Sequence, residues 1–210
     1  MHIPDGFLSA PVWTSTAVLG AGGLAVAVKQ ASKQLQDRSV PRLALVAAFI
    51  FAAQMMNFPI AGGTSGHLLG GALAVALLGP WAASVAISLV LMIQCFVFQD
   101  GGVTALGANI LNMSLVGVFT AWGTQKLFPH KYNSAGIAVS AWFSVLAASG
   151  MCAAELGWSG MVPIRLALSA MLGVHALIGI GEAVITVMVY QMVMKISPEF
   201  GKTMSAVEVK

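Results

Sequence analysis

The sequence predicts an all-α integral membrane protein, a seven-helix bundle that crosses the bilayer repeatedly. Two observations carry this prediction. First, 58% of the 210 residues are hydrophobic while only 8% are charged; second, the apolar residues form long runs with few or no charges. A soluble domain carries roughly 25% charged residues, whereas about 20 consecutive apolar residues cross a membrane as a helix. The composition therefore excludes an ordinary soluble domain.

Seven such runs are predicted to be spans. In chain order they cover residues 11–28, 41–56, 64–79, 81–99, 103–126, 133–154 and 164–194. The second and third are short for a spanning helix. A polar loop over 29–42 sets the first helix apart, within a single transmembrane domain over 1–210. We expect that domain to comprise an N-terminal tail (1–10), an additional first helix (11–28), a six-helix body (41–195) and a C-terminal tail (196–210).

The basic residues predict the orientation of the chain. With the N-terminus outside and the C-terminus inside, every lysine and arginine except Arg165 lies on the cytoplasmic side, as the excess of basic residues in cytoplasmic loops requires. Residues 1–10 contain no lysine or arginine, so we expect no cleavable signal peptide and Met1 is retained. The net charge of +3 follows from these loops and indicates no nucleic-acid partner.

The first residues of the chain contain the atoms of a metal chelate. With His2 in second place, the α-amine and the His2 amide nitrogen close a five-membered ring, and the amide nitrogen and the imidazole close a six-membered ring. Pro4 has no amide proton, so the chelate ends before it. A metal that displaces an amide proton and accepts planar nitrogens is Ni(II) or Cu(II), with Co(II) next. Any chain with histidine second has these atoms, so a fourth donor must come from elsewhere.

The stretch 57–71 brings a second histidine to the outer side. Pro59 interrupts any helix, and Thr64 or Ser65 is expected to cap the next one. His67 then lies in the first turn of the third span. An ionisable side chain at that depth indicates a functional role by default; the alternative is an imidazole satisfied by nearby hydroxyl or carbonyl groups.

Other polar residues lie within or at the ends of the predicted spans. Asp100 follows the fourth span, where a cap on the fifth helix or a hydrogen-bonded turn is slightly favoured over a hydrogen bond that orients a metal-ligating histidine. Asn109 and Asn112 share one helix face and are expected to hold helices together rather than bind metal. His175 and Glu182 also share a face, which predicts either an interior ion pair or a second polar site.

Small residues mark two faces for close packing. The first helix contains a run of small residues over 20–23, which lets another helix approach. The second helix contains a ridge with one alanine per turn, formed by Ala44, Ala48 and Ala52. From the residues alone, packing of this ridge inside the protein is favoured over docking of another subunit. The isolated Cys95 and Cys152 are expected to be buried packing residues.

Three ordered stretches resemble the CbiM/NikM family, the substrate-binding (S) components of energy-coupling factor ATP-binding-cassette importers for cobalt and nickel. They are MHIPDGFL (1–8), NFP with GTSGHLLGG (57–71) and FQDGGVTALGAN (98–109), and the resemblance extends over 1–200. It implies that an N-terminal helix is added to a six-helix S-component body and that the N-terminal tail inserts into that body.

The resemblance also implies a planar four-nitrogen site. Its donors would be the Met1 amine, the His2 amide nitrogen and imidazole, and the His67 imidazole. The transported substrate would be Ni(II), with Co(II) as the alternative. Five polar residues at the same outer end are expected to hold the tail or orient the imidazoles: Asp5, Asn57, Thr64, Ser65 and Asp100.

The implied partners are a membrane-embedded coupling (T) subunit, ATP-binding-cassette ATPase subunits and a small additional membrane subunit, in the lipid bilayer of a prokaryotic inner membrane. The alanine ridge would then meet the coupling subunit, which reverses the preference for internal packing.

The chain has no phosphate-binding GxxxxGK[ST] motif, so it is expected to be a binding subunit rather than an enzyme. The alternatives are a cobalt-specific component serving cobalamin synthesis, a stand-alone metal permease, which needs a continuous polar path, and an intramembrane metalloenzyme, which needs an open coordination position.

Overall fold

Seven helices and one short hairpin make up the described part of the chain. The structure, a computed structural model, describes residues 1–34, 40–56, 58–60, 64–129 and 133–197, and only the backbone for 58–60 and 64–65. The helices are α1 (Ala10–Gln34), α2 (Val40–Gln54), α3 (Gly71–Leu78), α4 (Pro80–Phe98), α5 (Leu106–Gln125), α6 (Asn133–Trp158) and α7 (Ile164–Ile196). The antiparallel strands β1 (Phe58–Ile60) and β2 (Thr64–Gly66) form the hairpin, with Phe58 opposite Gly66.

The lengths of the helices are those of a multi-pass membrane protein. Five of the described helices, α1, α4, α5, α6 and α7, are long and apolar enough to cross a membrane, whereas α2 has 15 residues and α3 only eight. Large apolar side chains such as Val18, Phe96 and Leu177 are more than half exposed on the outer faces. Apolar surface of this extent is suited to lipid rather than to water.

The third predicted span is wrong in its boundaries. A helix over 64–79 was expected, but Thr64 and Ser65 belong to β2, and α3 begins only at Gly71. The residue that precedes α3 is Gly70, which adopts φ 79° and provides no side-chain cap. Glycine tolerates this left-handed conformation at no steric cost, so the chain stays non-helical up to that point. His67 therefore lies in a non-helical stretch between β2 and α3, not in a helical first turn.

The short helix α3 lies at the centre of the bundle. Every residue from Gly71 to Leu77 is buried, and α3 contacts α2, α4, α5, α6 and α7. A helix that is apolar on all sides is typical of such a core position. It ends at Leu78, and after Gly79 the chain begins α4 with Pro80, a position that proline favours because the first helical N–H needs no partner within the helix.

The first helix packs closely on α5 through small residues. A Cβ atom placed on Gly20 would overlap the Gly107 carbonyl, and one placed on Gly107 would overlap the backbone of Ala17. The predicted close approach along 20–23 is therefore confirmed for Gly20, while Gly22 has open space around it. The contact places the start of α1, and with it the preceding N-terminal tail, against the beginning of α5.

The alanine ridge of α2 faces outward. Ala44, Ala48 and Ala52 are all exposed, while Val46, Ile50 and Gln54 form the buried face of the same helix. Internal packing of the ridge, the preference drawn from its small residues alone, is therefore wrong for the described chain. Because residues on opposite faces of a helix cannot both meet the core, burial of the larger residues leaves the alanines outside.

Candidate metal centre

The N-terminal tail lies inside the bundle. Met1 and Ile3 have no exposed surface, and His2 is only 4% exposed. Ile3 donates its N–H to Asn109 Oδ1 at 2.9 Å. The Ile3 carbonyl accepts from the Gly102 N–H at 2.9 Å and from Asn109 Nδ2 at 3.2 Å. These bonds satisfy both backbone polar groups of Ile3, as pairing in a β-sheet would. They hold the preceding residues, Met1 and His2, inside the helical bundle.

Asp5 fastens the outer end of the tail to the loop between α4 and α5. One carboxylate oxygen accepts from the Val103 N–H at 3.0 Å, and the other accepts from the N–H and the hydroxyl of Thr104. The hydroxyl bond, followed by the backbone bonds, holds the pKa of Asp5 below its usual value. The tail passes so close to Gly102 that a Cβ atom there would overlap the backbone and carboxylate of Asp5. The predicted role of Asp5 in holding the tail therefore has a direct geometric basis.

His2 is held by side chains from α4 and from the loop that follows it. Its Nε2 lies 3.1 Å from Gln94 Oε1, and its Nδ1 lies 3.3 Å from Asp100 Oδ1. If Nε2–H donates to Gln94, the lone pair remains on Nδ1, the nitrogen that closes the six-membered chelate ring. Asp100 does not cap α5, because that helix begins at Leu106 after Ala105, which makes no side-chain cap bond. The cap interpretation is therefore wrong, whereas the hydrogen-bonded turn is present, because the Asp100 N–H donates to the Gln94 carbonyl at 2.9 Å.

The His67 imidazole faces the same interior region. Its ring stacks on the His2 ring, with a centroid distance of 4.6 Å and an interplanar angle of 21°. His67 Nδ1 lies 2.8 Å from the Leu68 carbonyl oxygen, so the Nδ1 proton is donated there and Nε2 carries the lone pair. His67 is 1% exposed, and its Nε2 has no hydrogen-bond partner. A buried imidazole nitrogen that carries a lone pair is able to bind a metal ion, and the bond to the Leu68 carbonyl fixes the tautomer that leaves this lone pair on Nε2.

Burial keeps the nitrogen donors uncharged. Desolvation lowers the pKa of the Met1 amine to about 5, although Cys152 and Asp100 act in the opposite direction. Desolvation, reinforced by the nearby amine, lowers the pKa of His2 to about 3. The same two causes place the pKa of His67 well below its usual value. At neutral pH the amine and both imidazoles therefore offer lone pairs to a cation.

The tertiary structure brings Met1, His2, His67 and Asp100 together and places Asp5 at the mouth of the same site. The side chains of Thr64 and Ser65, and all of Asn57, lie outside the described residues. Among the residues described, no three histidine, cysteine, aspartate or glutamate side chains are arranged to hold a metal ion. A metal bound here would therefore need nitrogens of the main chain, as the N-terminal chelate supplies.

Several polar residues at or near the site were not expected from the sequence. Gln94, fully buried one turn before the end of α4, contacts His2, and Gln54 at the end of α2 contacts Leu69. A carboxamide near the end of an apolar helix is the sequence signal that would have identified both residues.

Asn112 Nδ2 donates to Glu155 Oε2 at 2.6 Å, which links α5 to α6 as predicted for Asn112.

His175 and Glu182 do not form the ion pair that their spacing allowed. His175 Nδ1 bonds to the Met171 carbonyl at 2.8 Å, while both Glu182 oxygens accept backbone N–H groups from Leu69 and Gly70. Both side chains are buried. Cys95 and Cys152 are also buried, as predicted; Cys152 Sγ approaches the Met1 carbonyl at 4.0 Å.

Known proteins resemble this chain over nearly all of its length. A putative metal transport protein of Haloquadratum walsbyi is 38% identical over 205 residues, which is 95% of this chain and 92% of that protein. A putative fused nickel transport protein, NikMN, of Archaeoglobus fulgidus is 40% identical over 188 residues, 89% of this chain but only 63% of that longer protein. A cobalt transport protein, CbiM, of Ruminiclostridium cellulolyticum is 29% identical over 99% of this chain and 88% of that protein.

The fold has a solved counterpart. A crystal structure of a truncated transition metal transporter superposes with a TM-score of 0.86 at 34% identity, covering 93% of this chain and 99% of that one. The family model described as the cobalt uptake substrate-specific transmembrane region matches residues 2–200. This match includes both histidines of the candidate centre. The chain therefore belongs to the CbiM family of nickel and cobalt transport proteins.

Proposed function

We propose that this chain is the metal-capture subunit of an energy-coupling factor ABC importer. It binds Ni(II), or Co(II) as the alternative, in a planar four-nitrogen site on the extracytoplasmic side, for uptake driven by ATP hydrolysis on a separate chain. The names of its relatives, which describe nickel transport in one case and cobalt transport in another, support the metal class. The motifs of the tail and of the stretch 57–71 support the importer type.

One observation carries the proposal: Met1, His2 and His67 are buried together, with the two imidazole rings stacked, and burial favours the uncharged form of each nitrogen. The tail supplies three donors, namely the amine, the His2 amide nitrogen and His2 Nδ1. His67 Nε2, buried and without a hydrogen-bond partner, is the fourth. Neutral nitrogens in an enclosed site suit a divalent cation with an affinity for imidazole and amide nitrogen.

Nickel is preferred on ligand-field grounds. Low-spin d⁸ Ni(II) gains most from a planar set of strong-field nitrogens, and Co(II) gains less. Cu(II) would bind more tightly in vitro, because the Irving–Williams order places it higher. A cobalt-specific role remains the alternative within the same importer class, since the ligand set is common to both metals.

The test begins with purified protein and nickel. We expect one Ni(II) per chain and a d–d absorption band typical of a planar nitrogen site, and His67→Ala should abolish that band. One residue added before Met1 should weaken nickel binding as strongly as His2→Ala, because it displaces the amine from the chelate while the imidazole stays. Binding that is unaffected by His67→Ala, or by the added residue, would contradict the proposed site.

The proposed partners are a membrane-embedded coupling subunit, ATPase subunits and a small additional membrane subunit. The exposure of Ala44, Ala48 and Ala52 supports the alanine ridge as the face that meets the coupling subunit, since small residues let helices approach closely. The distribution of lysine and arginine supports an outward N-terminus, which would open the tail site to the outside, in a prokaryotic inner membrane. Copurification with these subunits tests the assembly.

A further inference from the structure

The segment that delivers His67 is buried but has no regular secondary structure. This segment, residues 67–70, lies between β2 and α3; His67 is 1% exposed and Leu69 has no exposed surface. Peptide groups in a buried, non-helical stretch lack the partners that a helix would provide, and they are costly at membrane depth unless other groups bind them. The partners of these peptide groups therefore determine the shape of the segment.

Two helices supply those partners through side chains. Glu182 on α7 accepts the Leu69 N–H at Oε2 (2.6 Å) and the Gly70 N–H at Oε1 (2.8 Å). Gln54, the last residue of α2, donates from Nε2 to the Leu69 carbonyl at 2.8 Å. Both side chains are almost completely buried. A carboxylate that receives two N–H groups makes charge-assisted bonds, which are stronger and more directional than neutral ones.

The bonds of Glu182 reach the imidazole through one peptide unit. The Leu69 N–H and the Leu68 carbonyl belong to the same peptide, which is planar and rigid. Glu182 holds the N–H end of this peptide, and the carbonyl end accepts the proton of His67 Nδ1 at 2.8 Å. The direction of the Leu68 carbonyl therefore depends on Glu182. That direction determines the ring orientation of His67 and leaves its Nε2 lone pair available.

We propose that Glu182 is a positioning residue for the fourth metal nitrogen, acting through the Leu68–Leu69 peptide, with Gln54 fixing the next carbonyl. This inference rests on the proposed metal site. Both oxygens of Glu182 are engaged by N–H groups, so its role is to hold the ligand rather than to bind metal or relay protons. His67 thereby receives from two distant helices the support that a histidine ligand ordinarily receives from a neighbouring side chain.

The test compares two isosteric substitutions of buried carboxylates. In Glu182→Gln, one acceptor oxygen becomes an NH₂ group facing an N–H, so the peptide should rotate. We expect Ni(II) to dissociate about tenfold faster or more, with a shifted d–d band because His67 is displaced. Glu155→Gln is the matched control, because Glu155 contacts Asn112 and not the segment 67–70; its band and dissociation rate should stay within about twofold of the wild type.

A second variant provides the test if Glu182→Gln does not fold. Gln54→Met keeps the side-chain volume but removes the donor, and it should also shift the band and speed dissociation. The inference would be overturned if Glu182→Gln kept the band and the dissociation rate of the wild type. If Glu182→Gln does not fold, the same result in Gln54→Met would overturn it. An equal shift in the control Glu155→Gln would also overturn it. His67→Ala separates the two proposals: if it leaves nickel binding intact, the proposed site itself fails. If it abolishes binding while Glu182→Gln changes nothing, only the positioning role fails.

Discussion

At the scale of single residues, burial favours the neutral form of the tail nitrogens that the proposed metal site requires. An exposed amine and an exposed imidazole would be protonated for part of the time near neutral pH, whereas the buried Met1 amine and His2 have pKa values of about 5 and about 3. If nickel binds as proposed, the His2 amide is then the main group that must lose a proton at neutral pH. Proton release from this one nitrogen should therefore dominate the pH dependence of metal binding near pH 7.

Asp5 should make docking of the tail sensitive to acid. Its pKa is lowered in the folded state by the Thr104 hydroxyl and the backbone N–H groups, so its stabilising effect is fully present above the ordinary carboxyl pKa and is lost as the pH falls through the lowered value. We expect hydrogen-exchange protection of the Ile3 amide, corrected for intrinsic exchange, to be constant from pH 7 to about 5 and to decline below about 4.

Asp5→Asn is the matched control for this prediction. The amide retains the shape of the side chain but has only one acceptor oxygen, so protection should be lower at pH 7 and should no longer change around pH 4. An equal acid-induced loss of protection in the wild type and in Asp5→Asn would show that another group releases the tail.

At the scale of elements, close packing of α1 on α5 fixes the mouth of the site. We expect Gly107→Ala to destabilise the protein by about 1–3 kcal/mol, because the added methyl group overlaps the backbone of Ala17 and the helices must separate. Gly123→Ala on the same helix is the control, since nothing lies within 4 Å of its added Cβ atom. Thermal unfolding in detergent measures both. Equal stability of the two variants would contradict the close approach.

At the scale of the whole molecule, α2 connects the outer surface to the segment that carries His67, a proposed metal ligand. Its exposed face bears the alanine ridge, while Gln54 on its buried face holds the segment of His67. We expect Ala48→Trp to reduce copurification of the coupling subunit and leave nickel binding by the isolated chain within about twofold, because only the outer face changes. Val18→Trp, at an exposed position on α1, is the control. Undiminished copurification with Ala48→Trp would place the docking face elsewhere.

What the sequence determined by itself follows from local chemistry. The order Met1-His2 places the atoms of a chelate within one dipeptide, and Asn112 was correctly expected to link helices. Apolar runs predict five of the seven helices to within four residues, whereas α1 continues six residues beyond its predicted end at 28, to Gln34. Each of these depends on residues close together in the chain, where spacing and composition are sufficient. The role of His67 as fourth donor came from resemblance and remains a proposal.

What only the tertiary structure decided depends on pairings between distant parts of the chain. The sequence predicted a helix around His67, but residues 67–70 are non-helical and α3 begins only after the left-handed Gly70. Likewise, Glu182 meets Leu69 and Gly70 rather than His175, and Asp100 faces His2 instead of capping α5. A buried polar group takes whichever partner the packed bundle brings to it, and more than 90 residues separate those partners in sequence. No local pattern encodes that choice, so it required the assembled bundle.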